Sequence, residues 1–248
     1  MRRTWRIASV AGVGINVHWS FSFIILWMVW QGTFGNRELK SLLFLAMALL
    51  LLFGCIALHE LGHALTALRL EVTVKDIIIL PVGGLAQIQS LPKKPHYDFL
   101  IAAAGPLVNL ALAIGAILTL LGSGQEELLI RFIVLPEVML EQMLISPVRH
   151  GLVPNLIMFL LLSNMALFVF NLFPAFPMDG GRMVRAALAT LVPYPRATQF
   201  TMGLGQTLAM LMLCWALQIR SLGLILLACF VLMAGLSLRH KPLTRSEP

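Results

Sequence analysis

The stretch Leu58-His59-Glu60-Leu61-Gly62-His63 reads H-E-x-x-H and lies near the end of a long apolar run, residues 41–70. On an α-helix, residues four apart stack on one face, so both imidazoles can reach one metal ion. Glu60 points roughly 100° round the helix from His59, close enough to take a proton from a water at that ion. Hydrolytic metal chemistry needs this arrangement: few protein ligands, one open position and a base beside it. Residues 44–58 hold no charged side chain, and then two histidines and a glutamate arrive together. An unpaired carboxylate at membrane depth is expensive, so such groups mark a site. The plainer alternatives are a chance match to a short motif and a polar cluster satisfied between helices.

Of the 248 residues, 59% are hydrophobic and 12% charged, and the mean hydropathy is +0.89. No soluble domain of this size needs so much apolar surface, so the chain reads as an α-helical polytopic membrane protein. Residues 1–10 are basic but lack a small-residue cleavage site after them, so no removable signal is expected. Cys55, Cys214 and Cys229 sit inside apolar runs without ligand spacing and read as small packing residues, with no disulfide framework expected. A net charge of +7 could suggest nucleic acid; the membrane accounts for it better, and no nucleic-acid partner is expected.

About six transmembrane helices are expected, at residues 17–31, 41–70, 97–121, 153–173, 202–218 and 222–238. Trp19, Trp27 and Trp30 suit membrane interfaces, and His18 is read as an interfacial histidine at the entrance of the first span. Residues 72–89 differ in kind. They alternate β-branched side chains (Val72, Val74, Ile77, Ile79), break at Pro81-Val82-Gly83-Gly84, and continue in a short apolar stretch. That is strand, turn, strand. A cytosolic hairpin and a re-entrant β-hairpin beside the metal site both fit, since irregular backbone at membrane depth survives only where protein or a water-filled cavity covers it. Residues 122–151 carry Glu126, Glu127, Arg131, Glu137, Glu141 and Arg149 among apolar residues and read as an amphipathic segment at the interface. One domain, 1–248, is expected, with no soluble module appended.

With six spans and a cytosolic N-terminus, thirteen of the 18 Lys and Arg fall on one side and five on the other. This excess places both termini in the cytosol. His59 is then some 18 residues, roughly 27 Å, from the outer end of its helix, which puts the metal towards the cytosolic face.

A catalytic zinc usually takes three protein ligands plus water. The candidates beyond the pair are His18, His96, His150, His240, Glu71, Asp76, Asp98 and Asp179. Asp179 follows a span that runs inward to the same side as the histidines. It sits in Phe173-Pro174-Ala175-Phe176-Pro177-Met178-Asp179-Gly180-Gly181, which cannot be regular helix throughout. An Asp before Gly-Gly alone would read as a turn or cap. An orphan histidine pair at matching depth favours the ligand reading.

With these residues in place the chain resembles the site-2 proteases, which are intramembrane zinc metalloproteases. The matching pieces are His59-Glu60-Leu61-Gly62-His63, Pro81-Val82-Gly83-Gly84, Gly105-Pro106-Leu107-Val108-Asn109 and residues 171–182, from Asn171 to Arg182. They occur in the family's order, over about residues 15–238, with Met178 where a leucine is more usual. The resemblance implies one Zn2+ per chain on His59, His63 and Asp179, with Glu60 as general base. It implies that Gly83, Gly84, Asn109 and Asn171 hold substrate. Asn109 on its own reads as interhelical glue. The sequence shows no PDZ domain between the spans and no CBS domain after residue 238, so this is expected to be a compact form.

The expected reaction is peptide-bond hydrolysis in the bilayer, on a transmembrane protein substrate such as a membrane-tethered transcription regulator or anti-sigma factor. A helix hides its carbonyls in its own hydrogen bonds, so the substrate must be extended, and a strand edge at residues 82–86 could hold it open. The expected location is the plasma (inner) membrane. Rival readings are a metal transporter, a catalytically inactive membrane-protein binder of the same fold, and a scaffold. The uniformly apolar outer half of the second span, residues 42–52, offers a transporter no polar path. An inactive relative typically lacks the glutamate or a ligand, and all four residues are present here.

Overall fold

The computed structural model describes residues 4–35, 38–81, 83–88, 94–134 and 151–239. In chain order these form β1 (Thr4–Val10), β2 (Val13–His18), α1 (Phe21–Phe34), α2 (Leu39–Arg69), β3 (Val74–Leu80), β4 (Gly83–Ile88), α3 (Pro95–Gly122) and α4 (Glu126–Val134). After them come α5 (Leu152–Asn171), α6 (Asp179–Leu188), α7 (Tyr194–Gln218) and α8 (Leu222–Arg239). Four helices, α2, α3, α5 and α7, are long and apolar enough to cross a membrane. Their outward side chains suit lipid: Leu50 is 75% exposed and Leu118 63%. The apolar helices α1 and α8 are shorter within the described residues. At 1.5 Å per residue, the 14 residues of α1 reach about 21 Å, against roughly 30 Å of hydrocarbon.

The start of the chain corrects the expected first span. Val17 and His18 belong to β2, and the helix runs from Phe21 to Phe34 rather than over 17–31. β1 and β2 form an antiparallel hairpin whose two-residue turn, Ala11-Gly12, has positive φ at both positions (49° and 84°). Such a turn matches the natural twist of the strands it joins. β2 then pairs in parallel with β3, Gly14 opposite Asp76 through Val17 opposite Ile79. The sheet order is β1-β2-β3-β4. Ile77, Ile78 and Ile79 are successive and all buried, so this strand is covered on both faces. The strand-turn-strand expected at 72–89 is present as β3 and β4; Val82 and Gln89 lie outside the described residues. Of the interfacial segment expected at 122–151, α4 is described and residues 135–150 are not.

The chain divides into two compact units, Met1–Leu61 with Val74–Gln87 and Leu107–Phe168, and Gly62–Thr73 with Ile88–Pro106 and Val169–Pro248. The first unit contains the sheet and a helical core of Phe44, Ala48, Ala113, Ala116, Leu120, Leu156, Met158 and Leu161. Alanines at these positions let helices approach closely. Cys55 is buried there and takes a hydrogen bond on Sγ from Asn164 Nδ2 at 3.1 Å. The second unit is built on Ala175, Met178, Ala209 and Val231. A Cβ placed on Gly205 of α7 would stand 2.8 Å from that of Ala175, so glycine lets the helix lie against the loop before α6. Overpacking a tight core costs about 1–3 kcal/mol. Ala116→Leu is therefore expected to lower the unfolding temperature in detergent by several degrees, while Leu118→Ala, on the exposed side of the same helix, leaves it unchanged.

Candidate metal centre

His59 and His63 are one turn apart on the unbroken helix α2, and both are buried, 5% and 3% exposed. Their mutual placement is set by that helix alone. Asp179, also buried, is the first residue of α6. The chain leaves α5 at Asn171, turns through residues 172–178 and re-enters helix at Asp179, so the carboxylate does sit at a break in the backbone. Met178 ahead of it is extended, φ −69° and ψ 159°. A carboxylate in a first turn is favoured by the helix dipole. The two glycines after it are needed for space: a Cβ on Gly180 would strike the Leu172 and Phe173 carbonyls, and one on Gly181 would stand 2.7 Å from the Ala175 carbonyl carbon.

Asp179 Oδ2 lies 3.0 Å from His63 Nε2. One ligand atom from each of His59, His63 and Asp179 can be chosen so that all lie within 4.8 Å of one another. Donors bonded at about 2.1 Å to one tetrahedral ion stand about 3.4 Å apart, so the set fits a metal ion. The outer partners favour the same conclusion. His63 Nδ1 is 2.6 Å from the Ile101 carbonyl, an acceptor, so Nδ1 carries the hydrogen. Nε2 then turns a lone pair towards the carboxylate, and two acceptors at 3.0 Å need a shared proton or a shared metal ion between them.

Asn109 is fully buried on α3, with Nδ2 placed 3.0 Å from His59 Nδ1, while its Oδ1 has no partner among the described residues. Turning the amide over exchanges two atoms of nearly equal shape. Oδ1 then accepts from His59 Nδ1–H, and His59 Nε2 is left as an electron donor. Both histidines thus take orienting contacts from α3, one from a side chain and one from a carbonyl. From the sequence Asn109 reads as interhelical glue, with substrate holding implied by the resemblance, and helical spacing gives no hint of His59, 50 residues away.

Glu60 is partly exposed beside β4. Gly84 meets it at close quarters: a Cβ there would overlap Glu60 and stand 2.8 Å from both its carboxyl carbon and Oε1. Gly83 has φ +149°, a conformation that suits glycine. Gly83 and Gly84 therefore bring the start of β4 against the glutamate. Asn171 is half-buried at the end of α5. Three of the other ligand candidates go elsewhere. His18 Nδ1 pairs with Ser20 Oγ at 2.8 Å, His96 packs on the Tyr97 ring, and Asp98 binds arginines. His150 and His240 lie outside the described residues.

The profile of peptidase family M50 matches residues 47–214, a stretch holding all four residues of the proposed centre. The chain is 31% identical over 231 residues to a zinc metalloprotease of Methanocaldococcus jannaschii, covering 93% of this chain and 59% of that one. It is 33% identical over 200 residues to Rip3 of Mycobacterium tuberculosis, covering 76% and 44%. The chain thus spans about half the length of the curated relatives it matches. Among solved structures it is similar to a site-2 protease from Methanocaldococcus jannaschii, with a TM-score of 0.58, 29% identity and 94% of each chain covered. Because the three atoms nearest a Cβ on Gly84 all belong to Glu60, Gly84→Ala is expected to leave bound metal per chain unchanged. Gly180→Ala, which drives α6 away from the 172–173 carbonyls, is expected to lose most of it; metal analysis of the purified variants reads both.

Proposed function

The chain belongs to peptidase family M50, and on that premise we propose that it is an intramembrane zinc metalloendopeptidase of the site-2 type. It would cut peptide bonds in or near transmembrane segments of other membrane proteins. The observation that carries the reading is the convergence of His59, His63 and Asp179, with Glu60 one residue from the first of them.

In this reading His59, His63 and Asp179 would hold one Zn2+, with Nε2 of His63 and Oδ2 of Asp179 turned towards each other. A zinc ion held there would supply Lewis acidity towards water and the scissile carbonyl. Glu60 takes a proton from the attacking water and delivers it to the departing amine nitrogen. Asn109 keeps His59 in the tautomer that presents Nε2; its burial and its contact with Nδ1 favour this role over contact with substrate. Gly83 and Gly84 open β4, which ends the sheet among the described residues, so an extended substrate can pair with its outer edge while the carbonyl to be cut lies near Glu60. Asn171 steadies the substrate carbonyl or aligns the peptide.

The remaining parts of the proposal concern the membrane. The six helices α1, α2, α3, α5, α7 and α8 span it, and β3 and β4 re-enter from the cytosolic side as part of one catalytic domain. Both termini face the cytosol of a cell whose plasma (inner) membrane holds the protein, as the Lys and Arg distribution favours. The substrate class is a single-span protein, such as a membrane-tethered transcription regulator or anti-sigma factor. Glu60→Gln is expected to keep one zinc per chain and to lower cleavage of a single-span substrate by purified protein about 10²–10⁴-fold. Turnover at the wild-type rate in that variant would remove Glu60 from its role.

A further inference from the structure

Asp98 is fully buried in the first turn of α3 and takes no part in the ligand group. Its Oδ2 accepts hydrogen bonds from Arg185 Nη2 at 2.7 Å and Tyr194 Oη at 2.6 Å, and its Oδ1 from Arg182 Nη2 at 3.3 Å. A buried carboxylate survives only when paired and hydrogen-bonded, and this one is satisfied on both oxygens. The donors come from α6 and from the first residue of α7.

Arg182 faces two ways. Its Nη2 binds Asp98, and its Nη1 lies 3.7 Å from Asp179 Oδ1, one helical turn back on α6. Asp179 Oδ2 faces His63. The two oxygens of Asp179 are thereby divided, one towards the arginine and one towards the ligand group. Arg185 is held between the rings of Phe176 and Tyr194, 5.3 Å from each centroid, so it also fastens the loop that delivers Asp179. Two carboxylates balance two guanidiniums. Without Asp98, the two guanidiniums would have only Asp179, itself in the ligand group, to balance them beside a place for a divalent cation.

We propose that Asp98 is a positioning residue for the metal centre, acting through Arg182 and Arg185 to hold Asp179 with a single oxygen directed at the ion. This rests on the zinc reading above. Outer partners of metal ligands typically change metal affinity or activity 10–100-fold when removed. A staple that merely joins α3 to α6 would alter stability and leave affinity alone.

The test compares full-length wild type with Arg182→Gln, Arg182→Lys and Asp98→Asn in detergent. The readouts are the zinc dissociation constant, by competition with a chelator, and the unfolding temperature of the metal-stripped protein. Arg182→Gln and Asp98→Asn are expected to weaken zinc about 10–100-fold, and Arg182→Lys less than Arg182→Gln. The stripped Arg182→Gln protein should unfold within a few degrees of wild type, because that side chain is 22% exposed. If Asp98→Asn does not fold, the Arg182 pair decides alone. Zinc affinity in Arg182→Gln within twofold of wild type overturns the proposal and leaves the protease reading standing. Wild type that binds no stoichiometric zinc overturns both.

Discussion

The structure depends on one close approach: the Asp179 carboxylate oxygen and the His63 ring nitrogen stand 3.0 Å apart, both buried, with His59 a turn away. Taking such groups out of water is costly, and the cost is met only by a cation or by complete pairing. Much of the surrounding architecture supplies that condition. α2 fixes the spacing of the imidazoles, α3 turns the rings, and the break between α5 and α6 delivers the carboxylate.

The local sequence follows from this constraint. Helix could not continue from Asn171 to Asp179 through two prolines, and the chain instead folds back so closely that Gly180 and Gly181 admit no Cβ. The same economy of volume recurs at Gly84 against Glu60 and at Gly205 against Ala175. Small residues bring backbone up to the chemistry, while large apolar side chains such as Leu50 and Leu118 face outward, where lipid is the solvent.

The centre was legible in the sequence to the extent that its geometry is local. His59, Glu60 and His63 share one helix, whose periodicity alone puts the two imidazoles on one face. Asp179 was legible because proline and glycine announce broken backbone and because an orphan histidine pair at matching depth favours a ligand over a turn or cap. What stayed hidden is tertiary. Nothing in the spacing of α3 marks Asn109 as a partner for His59, or Asp98 as a partner for Arg182, Arg185 and Tyr194, between 84 and 96 residues away. The β1–β2 hairpin was missed for another reason. Residues 13–17, Val-Gly-Ile-Asn-Val, do alternate in the manner of a strand, but the stretch is short and runs on into the apolar residues of α1, and Ala11 is an unusual residue for a turn with positive φ. The parallel pairing of β2 with β3 crosses some 60 residues that include two helices, beyond the reach of pattern.

The most direct measurement of the central claim is zinc X-ray absorption on the purified, zinc-loaded protein. The account predicts light scatterers only, two imidazole nitrogens and one carboxylate oxygen among them, at about 2.0–2.2 Å, in a four-coordinate shell that includes one exchangeable oxygen. Asp179→Asn should alter that shell. A sulfur scatterer at about 2.3 Å, or a spectrum that Asp179→Asn leaves unchanged, would contradict it.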